Sequence, residues 1–218
     1  GFLITEDKEL YERAAAFGHY QRMPALENSD LNSSSGMPLG GYKYRMHQLS
    51  SAVGRVQLAK YSERIESIQR AMNYFWDEME GTPGIRAHRP NAESKSTMGG
   101  WYAAKGLYVA KELGGLPVTR FCEAVNAEGV EYRIMPGANI LMHLHPVMND
   151  IDVYGDGRPT RIAFSDRDLR QGLGSLPVTE SLPEKCLSVP WFKHYRREVI
   201  DEYVSAFQKV ARRYKDLL

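Results

Sequence analysis

The residues best placed to do chemistry are Lys43 and Arg45, two cations between a glycine pair and a long helical pattern. Gly40 and Gly41 permit backbone angles that other residues avoid, so the chain can turn sharply there and approach a ligand closely. The first turn of a helix carries unpaired N–H groups and the positive end of the helix dipole, which favour an anion. Two cations at such a turn are typical of a phosphate or carboxylate site, and equally of an ordinary solvated helix start.

Histidines form the second group of candidates. His19 follows a predicted helix, where it could titrate near neutrality and work in a site or simply lie at the surface. His143 and His145 alternate along a segment that, if extended, would point both side chains the same way, as a metal pair requires. No carboxylate or cysteine cluster lies near enough in sequence to complete a metal site. A hydrogen-bonded turn before Pro146 is the competing interpretation, and we predict no metal.

Composition excludes several functional classes. Apolar residues make up 43% and charged residues 25% of the 218-residue chain, which is typical of a soluble globular protein. A net charge of +1 argues against a nucleic-acid binder that works by neutralising phosphates. No stretch approaches a membrane-spanning length, and the N-terminus lacks the features of a signal peptide. Cys122 and Cys186 lie far apart without metal-ligand spacing, so we expect reduced thiols in a cytoplasmic protein.

A charged loop over residues 150–176 resembles a calcium loop at first sight, because it contains Tyr154-Gly155-Asp156-Gly157. The ligand spacing of a calcium loop is absent. Alternating acidic and basic residues therefore predict a solvated loop with local ion pairs of small energetic weight.

The longest helical pattern runs from Met46 to about Glu80, with Gly54 and Ser62 as the expected bends. At 1.5 Å per residue it would span roughly 50 Å, which is too long for the inside of one small domain. We therefore expect it to connect two bodies. One buried stripe is predicted along its length: Leu49, Val53, Val56, Ile65, Ile68, Met72, Phe75, Trp76 and Met79.

The remaining patterns predict a small α/β layer. A strand is expected at residues 2–4, followed by a helix capped by Thr5. Strands at 101–109 and 130–135 flank a helix capped by Thr119. A short helix is expected at 181–186, and a long one over 197–218 closes the chain.

Residues 41–58 resemble a family signature. The segment Gly41-Tyr42-Lys43-Tyr44-Arg45-Met46, continued by Gln48, Ala52, Gly54 and Gln57-Leu58, is similar to the G-x-N-x-R-M/L…Q-A-A-x-G…Q-L pattern of the DegT/DnrJ/EryC1/StrS family. These are fold-type I, pyridoxal-phosphate-dependent aminotransferases that act on keto-sugars and cyclitols. Lys43 departs from the pattern, because the family has an asparagine there that reaches the cofactor phosphate across the dimer. A lysine would serve an anion as a mobile point charge.

The resemblance implies an α/β fold made of the C-terminal part of such an enzyme. Residues 1–58 would form the end of the large, cofactor-binding domain and the dimer loop, and residues 59–218 the linker helix and a small α/β domain with a short sheet. The cofactor would be pyridoxal 5'-phosphate, contacted by Lys43 and Arg45. The resemblance also implies that four residues contact the substrate: His19, Tyr20, His143 and His145.

The resemblance places the Schiff-base lysine upstream of Gly1, so we expect no catalytic residue in this chain and no activity from the isolated chain. The implied assembly is a homodimer that shares active sites, with a keto-sugar or keto-cyclitol acceptor and glutamate or glutamine as amino donor. No nucleic acid or membrane partner is expected. The alternative is a non-catalytic α/β module that dimerises or binds an anionic ligand.

Overall fold

The computed structural model describes residues 3–18, 23, 25–32, 46–91, 93–137 and 140–218. The chain divides into two compact units, Gly1–Tyr61 and Ser62–Leu218. Among the described residues, no helix is both long and apolar enough to cross a bilayer.

The N-terminal unit contains helices α1 (Lys8–Gly18), α2 (Ser29–Asn32) and α3 (Gln48–Ala59). Asp7 caps α1, because its Oδ1 accepts the backbone N–H of Leu10 at 3.0 Å. The predicted cap, Thr5, lies two residues earlier and instead accepts the N–H of Asp7 at 3.0 Å. The strand predicted at residues 2–4 is wrong for its described part, since Leu3 and Ile4 are exposed and outside any strand.

A buried carboxylate organises the loop between α1 and α2. Glu12 is only 6% exposed, and its two oxygens accept the backbone N–H groups of Glu27 and Asn28, each at 2.9 Å. The side chain of Asn28 in turn accepts N–H groups from the first turn of α2. These bonds satisfy donors that the loop would otherwise leave unpaired. A small core lies beneath: Ala16, Met23, Leu26 and Leu31.

The predicted long helix is two helices, and the predicted bends are wrong. α3 ends at Ala59, and α4 (Tyr61–Glu78) begins after Lys60. Lys60 leaves helical geometry at φ −102° and ψ 2°, and its N–H closes the last turn on the carbonyls of Gln57 and Leu58. Gly54 and Ser62 lie inside helices.

The predicted stripe is buried only along α4. Ile68, Met72, Phe75, Trp76 and Met79 are buried, whereas Ile65 is half-buried. In α3 no residue is buried, and the three side chains of the stripe are 55–72% exposed: Leu49, Val53 and Val56. The stripe is buried in α4 and not in α3 because the two helices belong to different units, and only α4 contributes to the larger core.

A three-stranded antiparallel sheet forms the centre of the C-terminal unit. Its order is β1 (Ile85–Ala87), β2 (Lys105–Tyr108) and β3 (Cys186–Ser188). The registers pair Ile85 with Tyr108 and Gly106 with Leu187. β2 lies within the strand predicted at 101–109, while β1 was missed because its three residues are too few to show an alternating pattern.

The strand predicted at 130–135 is irregular in the structure. Asn126 holds Ile134 by both backbone groups, since its amide donates to the carbonyl and accepts from the N–H, each at 2.8 Å. Pro136, which has no N–H, forms only an isolated bridge with Leu187. The segment still runs along β3, where the N–H of Ser188 donates to the carbonyl of Met135 at 2.8 Å. A side chain and a proline therefore replace a regular ladder.

Helices α5 (Val118–Ala127) and α8 (Arg197–Arg212) pack on the sheet with α4. The predicted cap Thr119 is wrong by two residues, because α5 begins at Val118 after Pro117. The aromatic side chain of Phe75 lies 5.9 Å from Phe207 and 5.6 Å from Phe192, ring centre to ring centre. Two short helices, α6 (Pro146–Asn149) and α7 (Pro177–Lys185), complete the unit.

Both cysteines are free and buried. Burial raises the pKa of Cys122 to about 12. Such a thiol stays protonated at neutral pH, so Cys122 contributes packing and no nucleophile.

The charged loop over 150–176 is built from local bonds. Asp152 accepts the N–H groups of Gly155 and Gly157 at 2.6 and 2.7 Å, and these bonds lower the pKa of its carboxyl group. Arg170 pairs with Asp168 at 2.7 Å and lowers the pKa of that carboxyl to about 2. The prediction of local ion pairs is confirmed.

The double hydrogen bond of Asn126 gives a testable stability prediction. Replacing Asn126 with Ala leaves the N–H and the carbonyl of buried Ile134 without partners. We expect a loss of about 2 kcal/mol in the free energy of unfolding, measured by urea denaturation. Glu123→Ala, on an exposed position of the same helix, is the control and should change stability by less than about 0.5 kcal/mol. Equal losses in both variants would contradict the assignment.

Candidate functional site

The two histidines predicted from sequence lie in a tight turn, so the extended segment is wrong. A 3₁₀ helix spans Met142–Leu144, and α6 begins at Pro146 immediately after His145. The side-chain amide of Asn149 donates to the carbonyl of His143 at 2.6 Å and holds the turn closed. The competing interpretation, a hydrogen-bonded turn before proline, is confirmed.

His143 is buried and paired. Its side chain is 5% exposed, and Nε2 lies 3.0 Å from Oε1 of Glu180, which is 11% exposed in its own side chain. Glu180 stands near the start of α7, so this contact ties the histidine turn to that helix. His143 therefore stabilises the local structure through its pair with Glu180. Its predicted substrate contact stays a prediction.

Glu180 is the acceptor at the centre of this region. In addition to its contact with His143, Glu180 accepts the backbone N–H groups of Leu176 at 3.0 Å and Gly174 at 2.7 Å. The pKa of Glu180 is lowered, chiefly by the N–H of Leu176, then by that of Gly174 and by His143. Sequence reasoning did not single out Glu180, although an acidic residue in the first turn after Pro177 is a recognisable capping signal.

His145 has a different role. Its Nδ1 accepts the N–H of Val147 at 3.1 Å, so it caps α6. The ring is only half-buried, and within the described residues Nε2 has no protein partner. His145 therefore offers a free ring nitrogen to a ligand, which His143 does not.

A metal centre finds no support in the described part of the chain. There, no group of three histidine, cysteine, aspartate or glutamate side chains is arranged to hold an ion. The two histidines point to separate partners, Glu180 and Val147.

The remaining predicted contacts are Lys43, Arg45, His19 and Tyr20, and they lie outside the described residues. The helix that follows Lys43 and Arg45 is described. α3 begins at Gln48, carries no acidic residue in its first turn, and is capped by Nδ1 of His47, which accepts the N–H of Leu49 at 3.2 Å.

A strained turn that sequence reasoning missed precedes β2. Trp101 and Ala103 have left-handed backbones, with φ of 54° and 51°. Trp101 is buried and its indole N–H donates to Gln69 at 3.2 Å, which holds the turn on α4. Tyr102 between them is 92% exposed. The signal in the sequence was the Gly99-Gly100 pair, which permits the turn but does not indicate the conformation of the residues after it.

Comparison with known proteins decides the family. The profile of the DegT/DnrJ/EryC1/StrS aminotransferase family matches residues 1–208. This chain belongs to that family. The match extends from α1 through most of α8, so it covers both units, and the resemblance seen in residues 41–58 is confirmed.

Among curated proteins, the chain is similar to GDP-4-keto-6-deoxy-D-mannose 3-dehydratase of Escherichia coli O55:H7. The two are 24% identical over 151 residues, which is 65% of this chain and 37% of the relative.

Solved structures of other proteins share the fold. The S. venezuelae DesV structure, in complex with a ketimine intermediate, has a TM-score of 0.59 at 20% identity over 95% of this chain. The aminotransferase from Psychrobacter cryohalolentis has a TM-score of 0.65 at 17% identity over 98%. The E. coli GDP-4-keto-6-deoxy-D-mannose-3-dehydratase with bound hydrated PLP has a TM-score of 0.59 at 17% identity over 94%. The predicted fold class is confirmed.

The chain spans about half the length of these structures, namely 46%, 51% and 49%.

The lowered pKa of Glu180 predicts a pH-dependent stability. Because its folded pKa lies below its unfolded value of about 4.3, the carboxylate stabilises the fold above that pH, and this is lost as pH falls through the folded pKa. Glu180→Gln should lower the melting temperature at pH 7, and the difference from the parent protein should shrink towards pH 3.

The matched control is Glu184→Gln, since Glu184 is exposed on α7 and makes no hydrogen bond within the described residues. Its difference from the parent should not change with pH. If Glu180→Gln lowers the melting temperature equally at pH 7 and pH 3, the ionised carboxylate of Glu180 is not the cause of the stabilisation.

Proposed function

We propose that this chain forms the C-terminal part of a pyridoxal-phosphate-dependent aminotransferase that transfers an amino group to a keto-sugar or keto-cyclitol. The observation that carries the proposal is the family match over residues 1–208. The fold supports it, because nearly the whole chain is similar to the aminotransferase from Psychrobacter cryohalolentis, and also to the E. coli dehydratase whose structure holds PLP. The donor in this proposal is glutamate or glutamine, and the acceptor is the ketone carbon of a cyclic substrate.

Pyridoxal phosphate, when bound, supplies an electron sink for the reacting carbon. In the proposal Lys43 and Arg45 bind its phosphate from across a homodimer. The sequence and the described helix fit this role, since the segment directly precedes α3, whose first turn carries no carboxylate. A lysine in place of the asparagine of the family signature would bind the phosphate through charge.

The lysine that carries the cofactor is expected outside residues 1–218. In the domain division proposed from sequence, residues 1–58 contain Lys43, Arg45, His19 and Tyr20, and residues 59–218 contain His143 and His145. Residues 1–218 alone are then expected to show neither cofactor absorbance nor turnover. Turnover by these residues alone would overturn this expectation.

Dehydration is a second candidate reaction. The E. coli GDP-4-keto-6-deoxy-D-mannose 3-dehydratase matches the chain both by sequence and by fold. In transamination the amino group moves from the donor to the ketone carbon, and the donor becomes a 2-oxo acid. In dehydration the sugar loses a hydroxyl group and gains no nitrogen from the donor.

The test uses the enzyme that contains this chain, loaded with pyridoxal phosphate, and a nucleotide-linked 4-keto-6-deoxy sugar. With ¹⁵N-glutamate as donor, the proposal predicts ¹⁵N in the sugar product and one 2-oxoglutarate per amino sugar, measured by mass spectrometry. Loss of water from the sugar without ¹⁵N would instead support the dehydratase. Binding of the cofactor without either product would leave the non-catalytic alternative and refute both reactions.

The free ring nitrogen of His145 predicts a substrate effect. His145→Asn keeps a side-chain oxygen that can cap α6 and removes Nε2. We expect an unchanged melting temperature and a KM for the sugar raised about tenfold, the cost of one lost hydrogen bond to substrate. His194→Asn, at an exposed histidine, is the control and should leave KM unchanged. An unchanged KM in His145→Asn would show that His145 only caps the helix.

A further inference from the structure

The ring of His145 is fixed in one tautomer by the helix that it caps. Its Nδ1 lies 3.1 Å from the backbone nitrogen of Val147 and accepts that N–H. A backbone N–H can only donate, so Nδ1 must carry a lone pair. A neutral imidazole has one proton on its two nitrogens, so this proton lies on Nε2. His145 therefore presents an N–H donor that has no acceptor within the described residues.

The backbone around this ring is also held in place. The N–H of His145 donates to the carbonyl of Met142 at 3.2 Å, and its own carbonyl accepts the N–H of Met148 at 2.9 Å. Asn149 closes the turn through its side chain, and its backbone carbonyl accepts Nη1 of Arg170 at 3.3 Å. The donor is thus in position before any ligand arrives, which reduces the entropy that is lost on binding.

Proton transfer does not suit a ring that is held in this way. To act as a base, Nε2 would need a lone pair, and the proton of the neutral ring would then lie on Nδ1. Two N–H groups would face each other there, those of Nδ1 and of Val147, and α6 would lose its cap. The ring of His145 is therefore suited to binding.

The charges near the turn do not select an anion. Within the described residues, Arg170 contacts the end of α6, and its guanidinium pairs with Asp168 at 2.7 Å. Asp150 follows α6 directly, and the carboxylate of Glu180 lies beside His143. Phosphate is bound best by arginine or lysine side chains that can pair with it. These surroundings therefore favour a neutral accepting oxygen over a phosphate.

We propose that His145 acts on the substrate as a hydrogen-bond donor only: its Nε2–H donates to a keto or hydroxyl oxygen of the cyclic ketone, and the ring transfers no proton. The identity of the ligand rests on the proposed function, whereas the tautomer of the ring follows from the fold alone. Beyond a contact with substrate, this assigns the direction of the hydrogen bond and the kind of atom that receives it.

The tautomer is tested by NMR without turnover. The enzyme that contains this chain is labelled with ¹⁵N-histidine and studied above about pH 8, where ordinary histidine rings are neutral. The signals of His145 are assigned by their absence in His145→Asn. We expect an unprotonated Nδ1 and a protonated Nε2 for His145, and averaged signals for the exposed His194. A protonated Nδ1, or averaging like that of His194, would overturn the fixed tautomer.

Binding is measured from the same signals, with no amino donor present. A nucleotide-linked 4-keto-6-deoxy sugar should shift the Nε2 signal of His145 saturably, and the matching nucleoside diphosphate should not. A shift with the diphosphate alone would place the acceptor on a phosphate and overturn the choice of a neutral oxygen. No shift with the sugar, in an enzyme that forms the ¹⁵N-labelled amino sugar, would overturn the contact and leave the proposed function standing. A shift without any amino sugar would support the contact and refute the proposed function.

Two matched variants test the direction of the hydrogen bond. His145→Gln can place an amide N–H where Nε2 lies, and His145→Glu can place a carboxylate oxygen there. Both lose the cap of α6, so their melting temperatures should fall by the same few degrees. We expect a KM for the sugar within about twofold of the parent in His145→Gln and raised at least about tenfold in His145→Glu, because two accepting oxygens repel. An equal KM in both variants, or the lower KM in His145→Glu, would overturn the proposal.

Discussion

The C-terminal unit depends on the packing of α4 against the middle strand of a very small sheet. At Gly106 the indole of Trp76 approaches so closely that a Cβ would lie 2.9 Å from it. Phe75 on the same face contacts Phe192 and Phe207, which brings α8 onto the same core. Burying one such aromatic side chain contributes about 1.5–3 kcal/mol. With strands of three and four residues, ladder hydrogen bonds are few, so this apolar contact sets the positions of the elements.

Polar side chains then fix the segments that this core leaves irregular. Glu12, Asn126 and Glu180 each bond two backbone groups of a nearby loop. The side-chain amide of Gln69 stabilises the strained turn in the same way. It donates to the carbonyl of Gly99 and accepts the indole N–H of Trp101. Each bond satisfies a group that would be costly to bury alone. These bonds hold the loops in place, although the loops have no regular secondary structure. Binding residues of enzymes commonly lie on loops that are held in this way.

The sequence predicted well whatever depends on local pattern. The apolar stripe of α4 from Ile68 to Met79 and the closing helix α8 have the period that burial on one side requires. It predicted poorly whatever depends on a distant side chain. Nothing near residue 134 indicates that Asn126 occupies both of its backbone groups, and nothing near His143 indicates Glu180, 37 positions later. The signature around Lys43 came from resemblance, since two cations before a helix are common on any surface.

The histidine turn shows why spacing alone could not assign roles. Residues at i and i+2 share a face only in an extended chain, and a 3₁₀ turn places them in different surroundings. Burial against α7 uses the Nε2 of His143, whereas the helix that starts after His145 uses only Nδ1. Nε2 of the half-exposed His145 ring is therefore available to a ligand, and binding there would break no hydrogen bond of the turn. A substrate contact from this turn is physically open to His145, and for His143 it would require breaking the bond to Glu180.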